Sequence, residues 1–426
     1  MIKIYKYSDV TADEIFARDT QKCDVENAVS KIIDDVRQNG DKALFEYTEK
    51  FDGVKLSSLR VSKEEIDDAL EKVDEKLLCV IKKAAENIKN FHEKQKRQGF
   101  IINDENGILM GQKVIPIDRV GLYVPGGTAA YPSTVLMDSI PAKLAGVRSL
   151  VMVTPPQKNG EINPVILAAA SIAGVDEIYK VGGAQAIAAL AYGTKTIKKA
   201  DKIVGPGNAF VAEAKKQVFG RVSIDMIAGP SEIMIMADKA SSPMCVAADM
   251  LSQAEHDKNA SAVLVCDDDA FAKAVSDELE KQIPKLKRCE IARASIDSNG
   301  KIIVVDKLKT AIDVINEIAP EHLEICTDDP FDYLDGIRNA GSIFLGRNCP
   351  EALGDYLSGA NHTLPTSGSA KFSSPLSVDD FIKKTQYTYY TKDAFLRVCD
   401  DVAAFADSEG LGAHAYSALC RKEEKQ

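Results

Sequence analysis

Positive charge is in deficit along this chain: 53 lysines and arginines stand against 64 aspartates and glutamates, a formal charge of −11. An extended polyanion such as nucleic acid is therefore excluded as a natural partner. Basic runs such as Lys94-Gln95-Lys96-Arg97 are short, flanked by acidic helix, and read as a solvated face. Long apolar runs are missing as well. The longest, Pro164 to Val175, falls short of the roughly 20 residues a bilayer span needs. The opening MIKIYKYSDV carries charge throughout and contains no apolar signal-peptide core. Nine cysteines are scattered with no C-x-x-C pair, which fits reduced thiols rather than a disulfide framework. The expectation is a soluble cytoplasmic protein with no membrane and no nucleic-acid partner.

What is present is ample core material: 45% hydrophobic residues in 426, more than one hydrophobic core accommodates, so two or three domains are expected. Residues 23–98 read mainly as helix. VENAVSKIIDDVRQNG closes on Gly40, and the stretch from Ser62 to Gln95 opens on a capping-box pair, Ser62 and Glu65. Ile66, Leu70, Val73, Leu77 and Ile81 recur there at helical spacing. His92, among lysines and glutamates, reads as a surface residue.

From about residue 116 the texture becomes strand, glycine or proline turn, then helix, four times over: RVGLYVPGG, SLVMVTPPQ, DEIYKVGG and ADKIVGPGN each precede a helical segment. Short apolar strands alternating with helices predict a parallel, doubly wound sheet covered on both faces. A second α/β region follows with SAVLVC, KIIVVD and GSIFLG, and the last fifty or so residues read as helix and loop. The fold class is α/β: two incomplete, doubly wound, Rossmann-like domains with small helical ends.

Ligands of open parallel sheets bind beyond the carboxyl ends of the strands. Those ends carry Val124-Pro125-Gly126-Gly127, Val181-Gly182-Gly183 and Gly205-Pro206-Gly207-Asn208, with Tyr123, Gln185 and Asn208 beside them. Such turns let backbone N–H groups approach a phosphate. They are also simply what tight strand-to-helix turns need, and no G-x-G-x-x-G fingerprint is present.

Only five histidines occur, four of them in the second half. His256 follows Gln253 by three positions, one helical turn, which brings both side chains to one face about 5–6 Å apart. Two ligands do not make a metal site. Asp355, in GDYLSGANHTLPT, and His414, in EGLGAH, are candidates to complete a mixed nitrogen and oxygen set. In PEHL, the adjacent Glu321 and His322 suit two-stage proton transfer. The plainer reading is a helix start, with Pro320 in its first position.

Together, RVGLYVPGG, VGGAQAIAALAYGT, KIVGPGN, AGPSEIMIMAD, DMLSQAEHD, APEHLEI, GDYLSGANHTLPT, SPLSVDDF and EGLGAHA resemble the motifs of the histidinol dehydrogenase family, in that family's order. The resemblance implies four-electron oxidation of L-histidinol to L-histidine through histidinal with two NAD⁺ (the last steps of histidine biosynthesis), and one Zn²⁺ per active site. It puts the zinc ligands at Gln253, His256, Asp355 and His414 and the general bases at Glu321 and His322. Substrate contacts fall on Ser231, His362 and Glu409, on His322 and on the zinc ligands. NAD contacts fall on Tyr123, Gln185 and Asn208. It further implies an intertwined homodimer in which Glu409 and His414 enter the site of the second subunit. The corresponding division is an arm at 1–22, a first α/β domain from 23–115 plus 237–372, an NAD-binding α/β domain at 116–236, and a C-terminal helical extension at 373–426. Two other readings compete. One is a zinc hydrolase with Glu321 as base; the other is a nucleotide sensor without catalysis. A thiohemiacetal at Cys326 or Cys349 is a further route to aldehyde oxidation, outside the family's pattern.

Overall fold

Strands that are apolar on both faces have to be covered on both sides, and alternate residues of each strand serve the two coverings. In the computed structural model, which describes residues 1–15, 25–104, 106–126 and 130–423, two parallel sheets meet this demand. The five-stranded sheet runs β6 (Glu177–Lys180), β5 (Ser149–Thr154), β4 (Arg119–Tyr123), β7 (Lys202–Val204), β8 (Ser223–Ile224). The six-stranded sheet runs β1 (Lys3–Lys6), β11 (Lys301–Val304), β10 (Ser261–Cys266), β9 (Glu232–Ala237), β12 (His322–Cys326), β13 (Ser342–Leu345). All pairings in both are parallel. The period-2 division is plain in the second: Ile233, Ile235, Leu264 and Ile302 enter one core, Met234, Val263 and Ile303 the other.

The strand-turn-helix units read from residues 116–220 are present in order, with helices Pro132–Ala145, Pro164–Ala173, Gly183–Tyr192 and Ala209–Val218. Proline at the first turn starts the first two, where its missing N–H costs nothing. The turn after β7 is tightly specified. Gly205 has φ 115° and a Cβ there would strike the Tyr123 carbonyl, so no side chain fits. Its N–H donates to Asp225 (2.8 Å), and Lys215, ion-paired with Asp225, donates to its carbonyl (2.9 Å).

Several elements pack otherwise than chain order suggests. The helices of residues 26–92, expected with the 237–372 region, place their apolar faces on the five-stranded sheet, while Asn87 donates to Leu357 O at 2.7 Å. Helices Glu26–Asn39 and Asp41–Asp52 bury Val29, Ile33 and Leu44 against Val151, Tyr179 and Ile187. Helices Lys63–Lys72 and Glu75–His92 bury Ala69, Ile81 and Ile88 against Leu136 and Leu167. An amphipathic helix packs wherever an apolar face lies open, and sequence neighbourhood does not decide which. The stretch opened by the Ser62–Glu65 capping box is two helices, because Val73 turns extended and Asp74 caps a second start. The residue stripe read as one helix face is therefore broken, and Leu77 is exposed. The expected arm contains β1, an edge strand paired with β11. His92 is buried rather than on the surface, its Nδ1 2.6 Å from Gln95 Oε1. Within the C-terminal region expected to be helical, Leu376 and Phe381 belong to the five-stranded sheet's core.

The chain divides into two compact units, residues 1–95 with 117–381, and residues 96–116 with 382–426. The second unit holds an antiparallel sheet of β2 (Phe100–Asn103), β3 (Ile108–Pro116) and β14 (Ile382–Tyr390), followed by helices Lys392–Leu396, Cys399–Ser408 and Gly412–Glu423. The threonine- and tyrosine-rich TQYTYY in β14 is strand-forming sequence, although this region reads as helix and loop by periodicity. Phe100, Ile101, Ile102, Phe405 and Tyr416 of this unit are exposed. Among the described residues, no helix is long and apolar enough to cross a membrane.

Candidate active site

Glu321 and His322 lie not at a helix start but at the amino end of β12, in the interior of the six-stranded sheet. The turn that delivers them is unusual: Ala319 ends helix Ala311–Ile318 in the left-handed region (φ 54°), its N–H donating to Ile315 O at 2.7 Å. A residue with a side chain pays on the order of 1 kcal/mol or more for this conformation. Behind it, a Cβ on Gly341 would come within 2.5 Å of the Glu321 carbonyl oxygen. Backbone geometry therefore sets Glu321 before any side-chain contact does.

The two groups are then fixed by the first residue of the neighbouring strand, β9. Glu232 N–H donates to Glu321 Oε2 (2.9 Å), and His322 Nδ1 lies 3.0 Å from Glu232 O. A carbonyl can only accept, so Nδ1 carries the hydrogen and Nε2 presents its lone pair. Nε2 looks towards Glu351 Oε1, at 3.8 Å. Phe344 stacks on the ring, centroids 6.2 Å apart. Burial raises Glu321 well above the usual carboxylate range, against the opposing Glu232 N–H.

Glu351 begins helix Glu351–Tyr356, and one turn later the same helix presents Asp355. Ligand atoms of His322, Glu351 and Asp355 lie within 4.8 Å of one another. Asp355 Oδ1 is 3.3 Å from His362 Nδ1. Burial would raise Asp355, but the hydrogen bond from His362 and the charge of that ring outweigh it and hold the carboxyl below its ordinary value. The same contact raises His362 against its own desolvation. Glu351 is pushed up to about 7, chiefly by burial.

Helix Pro243–Ala254 brings Gln253, 1% exposed, with neither its amide oxygen nor its nitrogen hydrogen-bonded. A buried amide costs roughly 1–3 kcal/mol when unpaired, which marks a ligand position rather than packing. His256 follows in the turn after the helix, its N–H donating to Gln253 O (3.0 Å). Surrounding protein lowers its pKa, while Asp355 pulls the other way. Ser252 ties this helix to helix Glu351–Tyr356 by donating to Glu351 Oε2 (2.8 Å). Ser231 sits partly buried just ahead of β9. Amide, imidazole and carboxylate are donor types that suit a divalent ion such as zinc, although the His, Cys, Asp and Glu ligand atoms that lie together among the described residues are those of His322, Glu351 and Asp355, without His256.

His362 is positioned from the other sheet's side. Thr134 Oγ1 is 3.4 Å from its Nε2, Asn361 donates to Met137 O (2.7 Å), and Thr363 donates to Asp138 (2.8 Å). All three partners lie on helix Pro132–Ala145, the first helix after β4. Burial, with Asp225 nearby, pushes Asp138 up to about 7. A carboxyl raised in the fold keeps a proton that the unfolded chain gives up near pH 4, so this group's contribution to stability falls as pH rises from about 4 to about 7. Three units correspond to at most about 4 kcal/mol. Asp138→Asn should flatten that loss and gain stability at pH 8 relative to the parent, as measured by urea unfolding at pH 5 and pH 8. An unchanged pH slope would refute this account.

At the carboxyl ends of the five-stranded sheet, Tyr123 ends β4, its hydroxyl accepting from Gly183 N (3.1 Å), and burial pushes it up to about 12. Gln185 is buried in the first turn of the following helix. Asn208 caps the helix after β7, accepting from Phe210 N (3.1 Å) and Val211 N (3.2 Å). β4 and β7 are neighbours at the point where strand order reverses, the standard ligand crevice of such sheets.

Glu409 and His414 belong to the second unit, where with Phe405 and Leu411 they line a groove between helices Cys399–Ser408 and Gly412–Glu423. Cys326 is buried beside Glu324, and burial followed by that carboxylate raises its thiol, the opposite of an activated nucleophile. Glu351 is the residue that the sequence reading missed. Its signal was available: it precedes Asp355 by four positions, about one helical turn, as Gln253 precedes His256 by three.

Similarity to known proteins identifies the family. A sequence model of the family described as histidinol dehydrogenase matches residues 16–422. The histidinol dehydrogenase of Clostridium acetobutylicum is 54% identical over 426 residues, 99% of each chain. That of Geobacillus kaustophilus is 54% identical over 397 residues, 93% of this chain and 94% of the relative. The crystal structure of histidinol dehydrogenase from Elizabethkingia anophelis superimposes with a TM-score of 0.93 at 40% identity, covering 99% of this chain and 98% of that one. The chain belongs to the histidinol dehydrogenase family, whose members are NAD-dependent oxidoreductases of histidine biosynthesis.

Proposed function

We propose that the protein oxidises L-histidinol to L-histidine through histidinal, with two NAD⁺ and one zinc ion per site. The observation that carries this reading is the orientation of His322: Nδ1 committed to a backbone carbonyl, Nε2 turned as a base towards the Glu351–Asp355 pair. When bound, the zinc ion holds the amino alcohol in place and each NAD⁺ takes up a hydride. Gln253, His256 and Asp355 would hold the metal, joined by His414 of a second copy. Tyr123, Gln185 and Asn208 would contact the dinucleotide.

His322 takes the alcohol proton at Nε2 in the first oxidation. Glu321, 3.6 Å from His322 Nδ1, takes a proton from the water that adds to the aldehyde, and His322 serves again in the second oxidation. Desolvation around Glu321 raises its basicity once ionised. Ser231, His362 and Glu409 would contact the substrate, the carboxylate of Glu409 suiting its positive charge. Exposed Phe405 and Tyr416, and the groove carrying Glu409 and His414, support a homodimer with shared sites. The eight cysteines among the described residues are free thiols, in keeping with a cytoplasmic enzyme.

The test is stoichiometry. With zinc and excess NAD⁺, two NADH should form per L-histidinol consumed, read by near-ultraviolet absorbance. One NADH per alcohol, or none, would defeat the proposal. Family membership leaves the hydrolase and sensor readings without support.

A further inference from the structure

We propose that Glu324 is a positioning residue: from beneath the site it joins the three elements that carry His322, Gln253 and Asp355 and sets their spacing. The proposal rests on the reading above that these three surround the reacting centre. Glu324 is 1% exposed in the middle of β12, two residues after His322 and so on the same face of the strand. Its Oε1 accepts from the Glu351 backbone N–H at 2.7 Å, which anchors the first residue of helix Glu351–Tyr356. Its carboxyl also hydrogen-bonds the side chain of Asp249 on helix Pro243–Ala254.

The arrangement repeats in register. Asp249 precedes Gln253 by four residues, and Glu351 precedes Asp355 by four, one helical turn in each case. Each element thus gives one side chain to the site and, one structural repeat away, one group to the layer below. Glu324 is the residue shared by all three attachments. Two carboxyl groups hydrogen-bond only with a proton between them, so the pair carries one proton and a single negative charge. A neutral amide at either position reproduces the bond: in Glu324→Gln the new side chain would accept from Glu351 N–H through its oxygen and donate to Asp249 through its nitrogen.

Three variants test this, each assayed at 25 °C for kcat, KM, zinc retained after dialysis and melting temperature. Glu324→Gln and Asp249→Asn should keep parent kinetics and zinc. Asp249→Ala, at a partly exposed helix position, should fold yet lose about tenfold or more in kcat/KM, given that ~1 Å of misplacement can cost ~100-fold. It should also release zinc on dialysis. A role confined to stability would lower the melting temperature and leave kcat, KM and zinc unchanged, which overturns the proposal. Loss in Glu324→Gln or Asp249→Asn comparable to that in Asp249→Ala overturns it too. Should Asp249→Ala not fold, Asp249→Ser, too short to reach Glu324, takes its place: the same losses sustain the proposal, and unchanged kcat, KM and zinc end it. A parent enzyme that yields no NADH from L-histidinol would instead defeat the functional reading, while zinc retention still reports on Glu324.

Discussion

His322→Asn should lower kcat by about 10³-fold while leaving fold and zinc content intact, within the 10²–10⁴-fold usually supplied by a positioned acid–base group. Asparagine can still donate to the Glu232 carbonyl in place of Nδ1, so the strand pairing of β9 with β12 survives. What disappears is the lone pair of Nε2, and with it the acceptor for the alcohol proton. KM should change little, because the groups assigned to hold the substrate remain. Stopped-flow and steady-state assays would show the fall in kcat and the unchanged KM. A variant within tenfold of the parent would remove His322 from the base role.

His256→Asn should act on the metal instead. With one of four expected ligands gone, zinc affinity should fall by more than the 10–100-fold typical of losing an outer-shell partner. Activity should vanish after dialysis and return in part on adding zinc. Gln253 gives the physical background: its amide is buried without a protein partner, so the site is already desolvated for a ligand. Atomic absorption on dialysed protein separates the two variants, His322→Asn keeping its metal and His256→Asn losing it. Equal zinc content in both would mean that the roles have been assigned to the wrong histidines.

Much of this was legible in the sequence because local signals and tertiary structure agree. The four strand-turn-helix units appear in the expected order, and the Ser62–Glu65 box caps a helix as read. The Gln253 and His256 spacing on a helix end and the adjacency of Glu321 and His322 survive into the structure. Other features depend on information that periodicity does not carry. Which sheet the helices of residues 26–92 would cover was decided by the open apolar faces around Val151 and Leu136, not by chain order. β14 is polar without a break from Lys383 to Gln386 and largely exposed, so hydrophobic alternation does not announce it. His92 looked like surface because its neighbours in sequence are charged, while its own position on the helix face points inward. The break at Val73 and Asp74 was hidden because apolar residues continue through it.

Glu321, His322 and Ser231 lie at the amino ends of β12 and β9, whereas the proposed dinucleotide contacts lie past the carboxyl ends of a different sheet. The segments that leave β10 at Asp267 and β11 at the exposed Asp306-Lys307 therefore serve neither half of the proposed chemistry. Epitope tags, fluorophores or peptide insertions grafted there should leave turnover untouched, making that rim a convenient handle on the enzyme.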